Sequence, residues 1–486
     1  MSTDLTTYFD KIDKILRRDD GLSTPLHYVE QTSWILFLKF LEDLEKSNSD
    51  ANELAGIDYH YVIPEQFRWS AWAVPKKNDG SIDHNKKLQG DDLIDFVNNK
   101  LFKHLSKLGD VSESNSLAFK VGEIFSGIKQ LIEDGKNLRD IIEIVDNFKF
   151  NSSEDKHEMS NIYEDRIKQM GNAGRSGGEY YTPRPLIEAM VKVINPQVGE
   201  VIFDPSCGSG GFLAEAYKFL ISKDNLTTED VEFIKYKALI GKEKKALPFI
   251  IGNMHLILSG IPSPNIIRTN TLSENVMQIE SKDKVDIILA NPPFGGDENE
   301  SVQFNFPIKT SATENMFMQY FIKNLKQGGR AAIVIKNTFL TNDDNATKAI
   351  RQELLTECNL HTILDMPKGT FLGAGVQTVV LFFIKGEATK DIWYYQLNPG
   401  RNLGKTNALN INDFKDFLDL SLEKPDSENS WIVKHDDLDK DNYDLAVLNP
   451  NKVEEVDNRT PQEIIAEIEE LDVQAAKALK AIKELL

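Results

Sequence analysis

The feature that most constrains the fold is a regular alternation of short apolar segments and amphipathic segments between residues 200 and 385. VDIILA (285–290) and RAAIVIK (330–336) have the length and the β-branched residues of buried strands, whereas FLAEAYKFLI (212–221) and MFMQYFIKNL (316–325) have helical periodicity. Alternating strands and helices are typical of βαβ units, which form a mostly parallel sheet with helices on both faces. The sequence therefore predicts an α/β fold built on a doubly wound, Rossmann-like sheet.

Two further apolar segments, LHTILDMP (360–367) and VQTVVLFFIK (376–385), continue this sheet, and the second could run antiparallel. Before the sheet the apolar residues follow helical spacing, as in WILFLKFLEDLEKS (34–47). A chain of 486 residues exceeds what one core usually holds. We therefore expect three parts, listed here in chain order: a helical N-terminal domain (1–164), the α/β domain (165–400) and a C-terminal extension (401–486).

The C-terminal extension is polar and rich in turn residues until a helix begins after Thr460, which with Glu463 forms a capping box. The apolar residues of this helix alternate steps of four and three, the spacing of a coiled-coil seam. Such a helix could bind a partner protein or pack on its own chain, and the spacing leaves both open.

Composition narrows the possible sites and partners. Two cysteines, Cys207 and Cys358, are too few for a four-cysteine zinc site and fit a reducing compartment, so we expect no structural metal and no disulfide. No apolar run approaches the roughly 20 residues that cross a bilayer, and the N-terminus lacks the order of a signal peptide, which predicts a cytoplasmic protein. The net charge of -20 opposes unaided binding of nucleic acid, so a partner would have to hold such a substrate.

A glycine-rich turn, DPSCGSGGF (204–212), connects the strand EVIF to the next helix. Gly208, Gly210 and Gly211 allow the backbone to turn tightly and to approach a ligand at the helix N-terminus. Enzymes that bind NAD, FAD, nucleotides or S-adenosylmethionine (AdoMet) all use such a turn. With Asp204 at its start, this turn is a candidate cofactor site.

Glu243 ends the next strand, where a carboxylate can bind the diol of a ribose. It follows Asp204 by 39 residues, whereas the dinucleotide fingerprint places its acid at a distance of about 20 residues. This spacing favours AdoMet over NAD as the cofactor.

The strand VDIILA ends in Asn291, Pro292, Pro293 and Phe294. Proline cannot continue a central strand, so the two prolines should end it stiffly at the carboxyl edge of the sheet, where ligands bind in open α/β folds. A stiff turn fixes two acceptors, the side-chain oxygen of Asn291 and the carbonyl of Pro292, and this pair suits an NH₂ group. Phe294 offers a face on which a planar base could stack.

This pair of acceptors predicts methyl transfer to an exocyclic amine. The amine of adenine is a poor nucleophile because its lone pair is delocalised into the ring. If both N–H bonds are held by acceptors, the nitrogen can direct its lone pair at a methyl group, and the developing positive charge is stabilised. Methylation of a pyrimidine carbon would instead need a thiolate, and Cys207 and Cys358 do not follow proline as such thiolates do.

DPSCGSGGF, GKE (241–243) and NPPF (291–294), in this order, resemble the motifs of AdoMet-dependent amino-methyltransferases. With GGEYYTPRPLIEAMV (177–191) before them and GVQTVVLFFIK (375–385) after the sheet, the chain resembles the modification subunit of type I restriction-modification systems. The resemblance implies an N6-adenine-specific DNA methyltransferase that takes its target adenine flipped out of the double helix.

The resemblance also assigns site residues. It implies that Glu179, Tyr180, Tyr181, Thr182, Pro183 and Arg184 form a flap over AdoMet. Ser209, Gly210 and Gly211 would line the methionine part of the cofactor. Asn270 stands where such enzymes usually place an aspartate against the adenine of the cofactor; an amide oxygen can still accept from that amine, but without charge.

The resemblance further implies partners: a specificity subunit that reads the DNA, a second copy of the methyltransferase subunit and, in some assemblies, a restriction subunit. Two other functions stay open on the sequence. The same motifs resemble enzymes that methylate guanine amines in RNA or glutamine amides in protein, and the chain could be an assembly subunit without turnover.

Overall fold

The computed structural model describes residues 2–77, 79, 81–113, 116–148, 181–371, 375–404 and 407–451, together with five positions between 462 and 471. Two predicted flap residues, Glu179 and Tyr180, and most of the predicted C-terminal helix lie outside these residues. Within the described residues, no helix is both long enough and apolar enough to span a membrane.

Helices make up the regular structure of the described chain before residue 149, as the sequence predicts. Thr24 caps the longest of them, because its hydroxyl accepts from His27 N at 3.3 Å, and Pro25 occupies the first turn. The helices are α1 (Ser2–Leu16), α2 (Pro25–Leu54), α3 (Trp69–Trp72), α4 (Gly90–Asp95), α5 (Phe102–Ser106), α6 (Leu108–Val111), α7 (Leu117–Gly127) and α8 (Gly135–Val145), with a π-helical turn at Phe96–Leu101.

The rest of the described chain is built on one sheet, whose strands follow the order β3-β2-β1-β4-β5-β7-β6-β8-β9. Strands β1 to β5 pair with one another in parallel. Strand β7 lies between β5 and β6 and is antiparallel to both. The strands are β1 (Ile202–Asp204), β2 (Leu239–Glu243), β3 (Asn265–Arg268), β4 (Val285–Ala290), β5 (Leu325–Lys336), β6 (Cys358–Asp365), β7 (Thr378–Lys385), β8 (Asp391–Gln396) and β9 (Ser430–Lys434).

The strand order fixes where ligands can bind. Strand β1 lies between β2 and β4, so the chain leaves β1 toward one edge of the sheet and later returns to pair with it from the other side. A crevice opens at such a reversal, outside the carboxyl ends of the strands. The turns after β1, β2, β3 and β4 meet there, and these turns carry the predicted site residues.

Helices pack against this sheet, and one of them is also covered by the N-terminal helices. Residues 248–258 of α12 are all buried, because α2 and α7 pack on the side that faces away from the sheet. The contact is close: a Cβ atom added to Gly127 of α7 would lie 2.8 Å from Ile250 Cδ1. The helices are α9 (Arg184–Ile194), α10 (Gly211–Ile221), α11 (Thr228–Tyr236), α12 (Ala246–Leu258), α13 (Glu300–Gln303), α14 (Thr313–Asn324), α15 (Thr338–Thr341), α16 (Asn345–Glu357) and α17 (Lys415–Leu420).

The chain beyond residue 400 continues the same fold. Strand β9 pairs antiparallel with β8 and forms one edge of the sheet. The buried Arg351 of α16 donates to the carbonyls of Asn442 at 2.7 Å and Tyr443 at 2.8 Å, and Leu445 N donates to Leu340 O at 3.0 Å. Residues 430–445 therefore pack with the sheet and not as a separate unit.

Candidate active site

The glycine-rich turn after β1 adopts a conformation that requires glycine at two positions. Gly208 has φ of 51° and Gly210 has φ of 76°, and Gly210 is the N-cap of α10. A Cβ atom added to the neighbouring Gly211 would lie 2.9 Å from Ile187 Cδ1. The turn is therefore as tight as the sequence predicts, and it lies close to α9.

Two buried acids lie beside this turn. Glu243, at the end of β2, accepts from Gly208 N through Oε2 at 3.0 Å and from Lys245 N through Oε1 at 2.7 Å. Asp204, at the end of β1, accepts from Ser206 N at 3.0 Å, and burial raises the pKa of this carboxyl to about 8. Burial also raises the pKa of Glu243. A positive charge placed between the two acids would favour the ionised form of both.

Asn291 follows β4 directly, and its side chain is fixed by a contact from the chain before α9. Its Nδ2 donates to Thr182 Oγ1 at 2.9 Å. Its Oδ1 is buried and accepts no hydrogen bond from any described residue. Because a buried acceptor without a partner costs about 1–3 kcal/mol, this oxygen is in place for a donor that a ligand brings.

The residues after Asn291 form the stiff turn that the sequence predicts. Pro292 is buried, and Gly295 N donates to Pro293 O at 2.9 Å. The ring of Phe294 is partly buried and contacts Phe371 edge to face, with 5.1 Å between the ring centroids and 80° between the planes.

Two clefts meet at Asn291. The inner cleft is lined by Tyr181, Thr182 and Arg184, by most of the turn 204–212, and by His255 and Asn291. The outer cleft has a volume of about 290 Å³ and is lined by residues 243–245, 269–272, 293 and 295–298, and also by Asn291. In the described part of the chain, no three His, Cys, Asp or Glu side chains are grouped so that they could hold a metal ion.

The structure brings most of the predicted site residues to these clefts. The inner cleft includes Asp204, Gly208, Ser209 and Gly211, and the outer cleft includes Glu243, Asn270 and Pro293. Gly210, Pro292 and Phe294 line neither cleft, and Pro183 is the N-cap of α9. Cys207 is buried, and burial raises the pKa of its thiol, which does not suit a nucleophile.

His255 belongs to the inner cleft, although the sequence analysis did not select it. Its Nδ1 lies 2.8 Å from Ser209 O, and its Nε2 lies 3.4 Å from Arg184 Nη2. A carbonyl oxygen only accepts and a guanidinium only donates, so these two contacts fit the tautomer of His255 that donates through Nδ1 and accepts through Nε2. Arg184 also donates to Gly211 O at 2.7 Å, and the two side chains together connect α9 and α12 to the glycine-rich turn.

The sequence has two matches to known families. One family model, described as N-6 DNA Methylase, matches residues 154–459. The other, described as HsdM N-terminal domain, matches residues 7–145. The two models together cover most of the chain, and the boundary between them falls where the N-terminal helices end.

Individual proteins are similar over nearly the whole length. The EcoEI type I restriction enzyme methylase subunit of Escherichia coli is 32% identical over 99% of this chain and 97% of its own length. The corresponding EcoKI subunit is 30% identical over 84% of this chain and 74% of its own. A modification subunit from Vibrio vulnificus YJ016, ascribed to a type I restriction enzyme, superposes with a TM-score of 0.82 at 32% identity, covering 93% of this chain and 98% of the other.

A fourth similarity is to another solved structure. It comes from a study of complex assembly and conformational transition in a type I restriction-modification system. The TM-score is 0.78 at 32% identity, and the match covers 99% of this chain and 98% of the other.

Proposed function

The chain belongs to the N-6 DNA methylase family as a type I restriction enzyme methylase subunit, and from this membership we propose which of its residues carry out the adenine-specific reaction. The observation that carries the proposal is the Oδ1 of Asn291, a buried acceptor without a partner at the point where the inner and outer clefts meet. Asn291 and Pro292 hold the N6 amine of the target adenine there.

We propose AdoMet as the cofactor, and the residues of both clefts suit its positive charge, its ribose and its methionine part. The buried acids Asp204 and Glu243 suit a cationic ligand that also carries a ribose diol. Each Glu243 oxygen accepts one backbone N–H, and a carboxylate has about four acceptor sites, so the diol can still bind. Ser209 and Gly211 offer backbone to the methionine part, and Gly210 between them caps α10. AdoMet supplies a methyl group on a positively charged sulfur.

The residues of this chain orient the acceptor base. Asn291 Oδ1 and Pro292 O each accept one N–H bond of the adenine amine, and Thr182 holds the Asn291 amide in the orientation that leaves Oδ1 available. The two acceptors stabilise the positive charge that develops on the nitrogen. Pro293 keeps the turn rigid, and Phe294 stacks on the base after it leaves the double helix.

We propose that the subunit acts in a complex. Relatives are named as subunits of type I restriction enzymes, and a similar protein was solved in a study of complex assembly. A net charge of -20 supports a division of labour in which a specificity subunit holds and reads double-stranded DNA. A second methyltransferase subunit and a restriction subunit would complete the complex.

We propose that the chain divides into two domains and a C-terminal extension. The N-terminal helical domain, up to residue 164, covers α12 of the methyltransferase domain. The sequence placed the end of that domain at residue 400, but β9 and residues 438–451 pack with its sheet, so we propose an end near residue 451. The remaining C-terminal residues form the extension that binds a partner.

Methyl transfer to different acceptors tests this function. We expect the complex with its specificity subunit to transfer labelled methyl from AdoMet to N6 of adenine in duplex DNA. Ribosomal RNA and a glutamine-containing peptide should take up no label above background. Label in the guanine of RNA or in the peptide would instead establish one of the alternative acceptors, and no transfer to any acceptor would indicate an assembly subunit.

Replacing His255 tests the connection between α12 and the glycine-rich turn. His255→Leu removes the donor to Ser209 O and the acceptor for Arg184, and we expect the Kd for AdoMet to rise about tenfold. His255→Asn keeps an amide nitrogen near the position of Nδ1 and should stay within about threefold of the wild type. Isothermal titration of the full chain measures both, and equal affinity of His255→Leu and the wild type would contradict this role.

A further inference from the structure

Glu298 brings a carboxylate into the outer cleft from the loop that follows Phe294. The side chain is 12% exposed and lines the cleft beside Asn270. Its Oε1 accepts from Lys244 Nζ at 2.7 Å and from Asn270 Nδ2 at 3.4 Å. Its Oε2 makes no hydrogen bond to any described residue. One oxygen is therefore held by the protein and the other is available to a ligand.

The loop holds Glu298 in this position through its backbone. Glu298 N donates to Ser311 O at 3.0 Å, and Glu298 O accepts from Gln303 Nε2 at 3.1 Å. The adjacent residue, Asp297, forms a β-bridge with Ala312, just before α14. These contacts fix the path of the main chain at Glu298, and the contacts of Oε1 with Lys244 and Asn270 orient its carboxylate.

Asn270, the polar side chain beside Glu298 in the outer cleft, is already engaged by the protein. Its Oδ1 accepts from Leu272 N at 3.3 Å, and its Nδ2 donates to Glu298. An amide in this position caps the turn after β3 and has no negative charge to offer. Two acids, Asp297 and Glu298, bring negative charge to this end of the outer cleft, and of these Glu298 contacts Asn270.

We propose that Glu298, and not Asn270, binds the adenine of the cofactor by accepting a hydrogen bond from its 6-amino group. The inference rests on the proposed use of AdoMet. Apolar groups of Leu272, Pro293 and Phe317 line the same cleft and suit a flat ring. A carboxylate only accepts hydrogen bonds, so it favours an amino group at position 6 of the purine and disfavours a carbonyl oxygen there. Glu298 therefore sets the specificity for the base of the cofactor.

A comparison of two ligands in a binding assay tests this role. S-adenosylhomocysteine carries the 6-amino group, and S-inosylhomocysteine carries a carbonyl oxygen in its place. For the wild-type chain we expect isothermal titration to give a Kd at least about tenfold lower for S-adenosylhomocysteine, because the inosine analogue places a carbonyl oxygen against the carboxylate where adenosine places an amino donor. Glu298→Gln keeps the shape but can either donate or accept, so the ratio of the two Kd values should fall to within about threefold of one.

Glu274→Gln is the matched control, because it makes the same change in a glutamate that lines neither of the two clefts. This variant should keep the preference of the wild type for the adenosine ligand. A Glu298→Gln chain that keeps the wild-type ratio would overturn the role of Glu298 while leaving AdoMet as the cofactor. A wild-type chain that binds neither ligand would overturn the proposed cofactor and, with it, this inference.

Discussion

Replacing Asn291 by alanine is expected to lower methyl transfer to DNA by a factor of about 100 or more, while the Kd for AdoMet stays within about threefold. The Oδ1 of Asn291 is a buried acceptor that Thr182 holds in one orientation. Losing one fixed group that stabilises developing charge typically costs a factor of 10² to 10³ in turnover, or roughly 2.7–4 kcal/mol. Single-turnover methylation by the assembled complex measures the loss, and titration with AdoMet measures binding.

A matched control separates this effect from the loss of any buried asparagine. Asn324 of α14 is also buried with an unpartnered Oδ1, but it lines neither the inner nor the outer cleft. Asn324→Ala should therefore keep turnover near the wild-type value even if it changes the melting temperature. Turnover by Asn291→Ala that equals the turnover of Asn324→Ala would exclude Asn291 from the reaction.

Replacing Glu243 by alanine is expected to raise the Kd for AdoMet by a factor of about 100 or more. The change removes the carboxylate that would bind the ribose diol, and it leaves Gly208 N and Lys245 N without their acceptor. Hydrogen bonds to a charged group contribute about 1.5–3 kcal/mol each, so losing the two bonds from the hydroxyls of the ribose diol accounts for the size of the effect. Isothermal titration of the full chain with AdoMet measures it directly.

Glu274→Ala provides the corresponding control. Glu274 lies in the turn after β3 and forms an ion pair with Lys242 of β2. It lines neither of the two clefts. Removing this acid should leave the affinity for AdoMet unchanged, and thermal unfolding of both variants shows whether each is folded. A Glu243→Ala chain that is folded and binds AdoMet as tightly as the Glu274→Ala chain would contradict the role of Glu243.

The sequence predicts the central part of the fold well because its signals are local. Each strand from β1 to β7 is a short apolar run, and the helices between them have a clear period, so both can be recognised without knowledge of the neighbours. Strands β8 and β9 were not predicted. DIWYYQ (391–396) and SWIVK (430–434) are separated by more than 30 residues of polar chain, and their pairing is a long-range contact that no local pattern indicates.

The candidate site was predicted to the extent that its residues lie in short motifs. Asp204 and Glu243 are the last residues of their strands and Asn291 directly follows its strand, so the parallel sheet places all three at one edge. His255 was missed because a single histidine in an apolar helix has the pattern of a core residue. Glu298 was missed because it reaches the outer cleft only through the contact of its loop with Ser311 and Ala312.

The measurement that tests the central claim most directly is a structure of the assembled complex with duplex DNA and S-adenosylhomocysteine. We predict that the target adenine lies outside the double helix, with its N6 at about 2.6–3.2 Å from both Asn291 Oδ1 and Pro292 O. We also predict that the cofactor occupies the inner and outer clefts. An adenine bound elsewhere, or a cofactor distant from Asn291, would contradict the account.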